Sequence, residues 1–577
     1  MKSQLILANF LATDLDPTKK LVNSPSLIPF FEIGPTNTTP FAPAIGYANT
    51  QNRQAQVNTR RDAFPYGPDI ITDGLGGLPY PDIVNSADAK AFADLQFDRI
   101  EDFFKLYEGD WVTSLPDGPF PGVIENGTDD LTFSMERLSI QPFTVRRLPA
   151  FETPAFEVDD SIVQKLTGST QEELLKDHRL FYVDYRDQGS LNLTAGRFAA
   201  ACDAFFYIHS KSGNFLPLAI RPNAGSELIY TPLDSTYDWL YAKMLFNQND
   251  LWFGQFFHLL YTHEVIDATY LASLRTMSNA HPIFNILSRL GLQNFAIRQS
   301  ALRNLINPGG PVDRVFAWTG AEAGRYSVNL FKKGATSWSS HYFEPELRSR
   351  GLIDSPGPAL KHLPFYTDGK RIVEPIRTFM RSFVRSYYLS DNALLQDEEL
   401  QNWIAECSGP AQVQLFPKSL TRRDELVEIL THYAYLASVA HGVLNTNDLS
   451  LAQLVVPWHN TAFYQPLPKK KGMTEKDVLA ALPTVGQAIG SIQLAAAFGR
   501  PSFADGDRTT MEMFEDELRL KRYNGVVQKA AGKFREEMAA FSEEVRGRQF
   551  DRDGLSDGMP FIWRCLDPKV LPFYVAI

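Results

Sequence analysis

At 577 residues, with 44% hydrophobic and 12% aromatic side chains, the chain holds material for a large core, whether as one body or several domains. Its net charge of -11 argues against a nucleic-acid partner, whose phosphates select basic surfaces. Three scattered cysteines, Cys202, Cys407 and Cys565, exclude a disulfide framework and a cysteine-based zinc site.

The N-terminal stretch MKSQLILANFLATDLDPTKK has a short apolar run ended by Asp14 and Asp16. It lacks the clean apolar region and small-residue cleavage site of a signal peptide, so a cytoplasmic location is expected. Residues 1–90 are rich in Pro, Gly, Asn and Asp, with the turn signals PYGPD and DGLGGLPYPD, and read as an extended arm over a body. From about residue 87, ADAKAFADLQFDRIEDFFKLYEGDW has helical spacing. Segments 141–157 and 179–221 alternate apolar and polar positions, which predicts a small β portion. Beyond residue 235, helix-period apolar patterns cover 236–290, 293–306, 370–388, 423–445, 475–498 and 511–545. The lysine-rich PLPKKKGMTEKD reads as a solvated turn, and no apolar run spans a membrane without charges. The expected fold is mainly α, a large helical body with a minor β element.

Within the first long helical pattern, HLLYTHEVID carries His258 and His263 five residues apart. On an α-helix that spacing puts them about 140° apart, as for two unrelated core histidines. A widened π-type turn would bring both to one face, so a shared ion predicts a local π-bulge there. In THYAYLASVAHGVLNTND, His441 and Asn445 are spaced to share an α-helical face, while His432 lies on the opposite side with Leu436 at its own +4 position. The ending DPKVLPFYVAI is apolar where termini are usually polar. Its inward burial would carry the Ile577 carboxylate with it, and a buried anion needs a cation.

Taken together, these segments resemble the lipoxygenase family. DWLYAKMLFNQND (238–250) is similar to the family's approach to the first histidine pair, and MSNAHPIFNIL (277–287) to the segment after it. LINPGGPVD (305–313), FEPELRSRGL, LPFYTDGKRIVEPI (363–376) and EELLKDHRLFYVDY (172–185) follow the family's order and spacing. The resemblance covers roughly residues 150–577. It implies one catalytic domain over 1–577, with an N-terminal arm and helices over 1–145 in place of the PLAT β-barrel of plant and animal members.

Carried over residue by residue, the resemblance implies that His258, His263, His441, Asn445 and the α-carboxylate of Ile577 bind one metal ion. That nitrogen and oxygen set suits a redox-active first-row ion. The H-x4-H spacing is that of the iron enzymes, so one Fe(II)/Fe(III) per chain is expected, with manganese, spaced H-x3-H in some fungal members, as the alternative. His281 is expected to be structural, and Asp448 replaces a glutamine that tunes the asparagine in plant members. The implied reaction removes a hydrogen atom from the bis-allylic carbon of a polyunsaturated fatty acid such as linoleic acid. Dioxygen then adds to give an (S)-hydroperoxide, with the 13-position preferred over the 9-position. The hydrogen acceptor is the hydroxide on the metal, and no side chain is implied as a catalyst. Leu305, Val312 and Leu494 match positions that clamp the reactive carbon, with ordinary helix core as the other reading. Ala301 matches the position governing product handedness, and a rival alignment puts Ile297 there. The expected partners are the fatty acid and dioxygen, with no nucleic acid and with peripheral membrane contact left open. Two other readings stand beside this one: a zinc hydrolase using Glu264 as base, which lacks H-E-x-x-H, and a lipid-binding helical protein without chemistry.

Overall fold

The structure is a computed structural model that describes residues 50–64, 90–108, 111, 120–279, 281–291, 305–445, 455–498, 508–515 and 525–575. Its first described element, α1 (Thr50–Ala63), falls inside the segment read as an extended arm. The sequence TQNRQAQVNTRRDA has no apolar stripe, and ion pairs dock it instead. Arg53 pairs with Glu399 at 2.9 Å, Arg61 with Glu406 at 3.3 Å, and buried Arg60 donates to the Met277 carbonyl. The helical spacing from residue 87 becomes a 3-10 turn, Ile100–Phe104, running into a short α-turn, Lys105–Glu108. Ile100, Phe103 and Leu106 are its buried residues, a spacing of three that suits the tighter helix.

The expected β portion is one four-stranded antiparallel sheet: β1 (Arg146–Arg147), β2 (Leu180–Asp184), β3 (Asp203–Ile208) and β4 (Phe215–Arg221), paired in chain order. It is covered on both faces. Phe181, Val183, Phe206 and Ile208 join the main core, while Leu180, Tyr182, Phe205 and Tyr207 face a smaller core with Leu148, Phe156 and Leu174. β2, β3 and β4 thus each divide their residues between two apolar layers, which explains why β3, DAFFYI, is buried at every position.

The helical body carries the site. The predicted helix 236–290 is α2 (Thr236–His258), a π-turn (π1, Leu259–Glu264), α3 (Val265–Thr276) and, after a break, α4 (Pro282–Leu290). His281 N-caps α4 by accepting from Ile283 N at 3.1 Å, and its Nε2 lies 3.0 Å from Asp397, so its role is structural as expected. The short helix α5 (Pro311–Val315) opens on a proline at the helix start. The helix expected over 370–388 is α6 (Pro364–Tyr387), begun earlier by another N-terminal proline. Then come α7 (Glu398–Ser408) and α8 (Arg423–Tyr435). A second π-stretch (π2, Leu436–Ala440) and α9 (His441–Leu444) follow directly on α8. The pattern over 475–498 splits into Glu475–Ala481 and α10 (Val485–Phe498) around Pro483, and α11 (Gly525–Arg546) holds most of the last pattern. The segment 293–306 lies outside the described residues except for Leu305 and Ile306. Among the described residues, no helix is long and apolar enough to cross a membrane.

The C-terminal segment runs inward as its sequence suggested. Leu571 is 2% exposed, and Phe573, Tyr574 and Val575 are fully buried. Leu571 packs on α9, where a Cβ added to Gly442 would overlap Leu571 Cδ1, and Cys565 Sγ lies 3.4 Å from the Gly442 carbonyl. Gly442→Ala is therefore expected to cost about 1–3 kcal/mol through overpacking. A second substitution, Leu571→Ala, should restore part of the loss in a melting experiment. An additive double variant would show that the two residues do not compete for this space.

Candidate metal centre

Two helices, α2 and α8, reach the centre of the molecule and widen where they meet. In π1 the backbone takes one residue more than an α-turn allows, so His258 and His263 come to one face. Thr262 Oγ1 donates to the His258 carbonyl at 2.7 Å, giving that oxygen a partner within the distorted turn. In π2 the same device recurs, with Ser438 Oγ donating to the Ala434 carbonyl at 2.7 Å. π1 packs against π2, and the Tyr261 hydroxyl of π1 meets the Tyr435 hydroxyl at the end of α8 at 3.2 Å.

This packing brings three imidazoles together. The Nε2 atoms of His258 and His263 are 3.1 Å apart, as are those of His263 and His441. The His258 ring is perpendicular to His263, at an interplanar angle of 83°, and tilted 43° from His441. Exposure is 5% for His258, 2% for His263 and 0% for His441. Three ring nitrogens turned to one buried point form a donor set that a cation would satisfy. The 3.1 Å spacing is also that of adjacent positions around an octahedral ion with bonds of about 2.2 Å.

Asn445 ends α9, its backbone N–H donating to the His441 carbonyl at 2.7 Å. Its buried side-chain amide lies 3.3 Å from His441 Nε2, and turning that amide over presents Oδ1 to the same point. The predicted histidines and asparagine therefore converge. Among the described residues, His258, His263 and His441 are the group of His, Cys, Asp and Glu side chains placed to share an ion. Glu264, the base of the rival hydrolase reading, closes π1 and is not in that group.

The remaining predicted positions divide. Val312 and Leu494 are buried on α5 and α10, which pack together, and Leu305 accepts from Val312 N at 3.2 Å. Ala301, Ile297, Asp448 and Ile577 lie outside the described residues. Two features were not anticipated from sequence: π2, and the Gly442–Leu571 contact behind His441. The hydroxyl bonds of Thr262 and Ser438 are no signal for the widened turns, because Thr269, Thr276 and Thr431 make the same bond in regular α-helix.

The motif residues leading to the site form its frame. Lys243 lies 2.9 Å from Asp130, Asp250 pairs with buried Arg137 at 2.6 Å, and Asp238 accepts from Gly472 N at 2.9 Å. Farther along, Asp313 accepts from Gly309 N at 2.8 Å and from Gly320 N at 2.6 Å, which closes the LINPGGPVD turn.

Residues 151–551 match the lipoxygenase family model. The chain is 44% identical to a manganese lipoxygenase of Fusarium oxysporum (strain Fo5176), covering 97% of this chain and 89% of that protein. It is 40% identical to one of Colletotrichum gloeosporioides (strain Cg-14), covering 91% of each. The solved structure of the manganese lipoxygenase of Gaeumannomyces graminis superposes with a TM-score of 0.86 at 39% identity, over 93% of this chain and all of that one. The chain belongs to the lipoxygenase family, and is thus a dioxygenase, an oxidoreductase that incorporates dioxygen.

Proposed function

We propose that the protein is a manganese lipoxygenase acting on polyunsaturated fatty acids such as linoleic acid. The observation that carries the metal-dependent part of this reading is the buried triad of His258, His263 and His441 beside Asn445. Those four side chains would hold the ion, with the Ile577 carboxylate as a fifth ligand. The inward course of Leu571–Val575 against α9 supports that last assignment. When bound, the metal supplies one-electron redox chemistry at a bis-allylic carbon. The chain's own part is to fix the donors, exclude bulk water and align the substrate.

Manganese takes the place of the expected iron because the relatives named manganese lipoxygenases cover nearly the whole chain at 40% and 44% identity. Iron remains the second reading, favoured by the five-residue histidine spacing that π1 accommodates. Substrate affinity would rest on methylene burial, about 0.8 kcal/mol for each. Val312, Leu494 and Leu305 would line the reactive carbon, Ala301 would direct an S product, and the 13-position would be the site of oxygenation.

Metal analysis of the purified protein should find about one manganese per chain, and linoleate should yield a conjugated diene absorbance. Stoichiometric iron with full activity would reject manganese. Metal-free protein that is inactive across several fatty acids would reject the enzyme reading in favour of a lipid-binding one.

A further inference from the structure

Apolar burial has no direction, so the buried side chains of Leu571–Val575 do not by themselves fix where the chain comes to its end. Directional contacts to this segment come from a short bracket, residues 509–515. The Thr510 N–H donates to the Leu571 carbonyl at 2.6 Å, its Oγ1 donates to the same oxygen at 2.8 Å, and Thr509 pairs with Pro572 in an isolated antiparallel bridge. Phe514 pins the bracket to the body. Its ring stacks on Phe379 of α6 at 3.6 Å between centroids and meets Phe534 of α11 at 4.8 Å.

Arg289, in the last turn of α4, joins the bracket to the tail. Its Nε donates to the Met513 carbonyl at 2.7 Å, and its Nη2 donates to the Glu515 carbonyl at 2.7 Å and to the Glu512 carbonyl. The guanidinium lies over the ring of Phe573, 4.4 Å from its centroid. Phe573 is fully buried and stands four residues before Ile577. A planar fork of donors can serve several fixed carbonyls while its face rests on a ring, which a lysine ammonium cannot do. The base of this side chain is itself tied to the ligand helix. The Tyr433 hydroxyl of α8 lies 3.4 Å from the Leu287 carbonyl of α4, and α8 runs through π2 into His441. Arg289 thus links the helix that carries His441 to the segment that ends the chain.

We propose that Arg289 is a positioning residue for the metal centre: by holding Phe573 against the bracket, it sets where the C-terminal carboxylate comes to rest. The inference rests on the reading of that carboxylate as a metal ligand. Groups that orient a ligand change metal affinity about 10–100-fold, and Arg289 acts through Phe573, so the lower figure is expected.

The test challenges the Mn(II)-loaded full chain with a graded chelator and reads the retained ion by electron paramagnetic resonance. Arg289→Met should lower the affinity about tenfold. Its bound ion should show the altered zero-field splitting of a chain lacking Ile577. Arg289→Lys, which keeps a cation above the ring but not the fork, should recover part of the affinity. In the chain lacking Ile577, Arg289→Met should make no further difference, because the two changes act on one ligand. Equal losses in both backgrounds would show that Arg289 serves the fold at large and would overturn the proposal, as would unchanged affinity in Arg289→Met. Unchanged affinity on deleting Ile577 would instead remove the ligand reading, and the proposal with it. Should Arg289→Met fail to fold, Arg289→Lys carries the same comparison: its smaller loss must also vanish when Ile577 is absent.

Discussion

His441→Ala is expected to leave a folded, largely helical protein that holds less than about a tenth of the wild-type metal and has no measurable dioxygenase activity. Groups that merely orient a metal ligand already change affinity about 10–100-fold, and this substitution removes a ligand itself. The three imidazoles are buried, so a water replacing the His441 ring would lack the packing that aims Nε2 at His263, 3.1 Å away. Asn445→Ala should cost less, about tenfold in affinity, because an amide oxygen is the weaker donor. Removing Ile577 should resemble His441→Ala if its carboxylate binds the ion. The informative control is His432→Leu, on the same helix but in a separate aromatic cage, which should keep its metal. Elemental analysis and circular dichroism on the same samples decide the matter. His441→Ala carrying a full complement of metal at native helix content would remove the centre proposed here.

Much of this arrangement was legible in the sequence, and what was not has physical reasons. The spacing of His258 and His263 fails on an α-helix and works on a π-turn, so the distortion could be named before it was seen. The second distortion was hidden because His441 and Asn445 already pair at ordinary spacing, and nothing in the pattern required π2. α1 was missed because it buries arginines against Glu399 and Glu406 in place of an apolar stripe, and apolar periodicity cannot report charge docking. The sheet was anticipated only in outline, since a strand buried on both faces reads as a plain apolar run. Metal identity was the least legible feature. Imidazole, amide and carboxylate donors suit Mn(II) and Fe(II) alike, neighbours in the affinity order, so one histidine spacing carried the expectation of iron. The names of the relatives, a separate kind of observation, point to manganese.

Arg137→Met is expected to destabilise the protein by about 3–5 kcal/mol while leaving the metal content of the molecules that remain folded unchanged. Arg137 is fully buried and lies 2.6 Å from Asp250 and 2.6 Å from Glu136. It also donates to the Phe133 carbonyl and the Asn247 side chain, and sits over the Phe133 ring at 4.2 Å. Asp250 lies on α2, two turns before His258, so this cluster anchors the helix that enters the metal centre. Methionine fills much of the same space but leaves two buried carboxylates with His459, 3.4 Å from Glu136, as the remaining basic partner and with the Tyr185 hydroxyl still donating to Asp250. Burial already holds the Asp250 carboxyl above its usual range against the opposing pull of Arg137, and without the guanidinium it must rise further. An acid whose folded pKa exceeds its unfolded value, near 3.9, loses stability as pH rises between the two. The gap between variant and wild type should therefore widen from about pH 5 to pH 7 in urea unfolding. Replacing Asp250 and Glu136 by leucine in the same variant removes the stranded carboxyls and should recover most of the loss. If Arg137→Met alone proved neutral at pH 7, the anion–guanidinium pairing would not be what holds α2 in place.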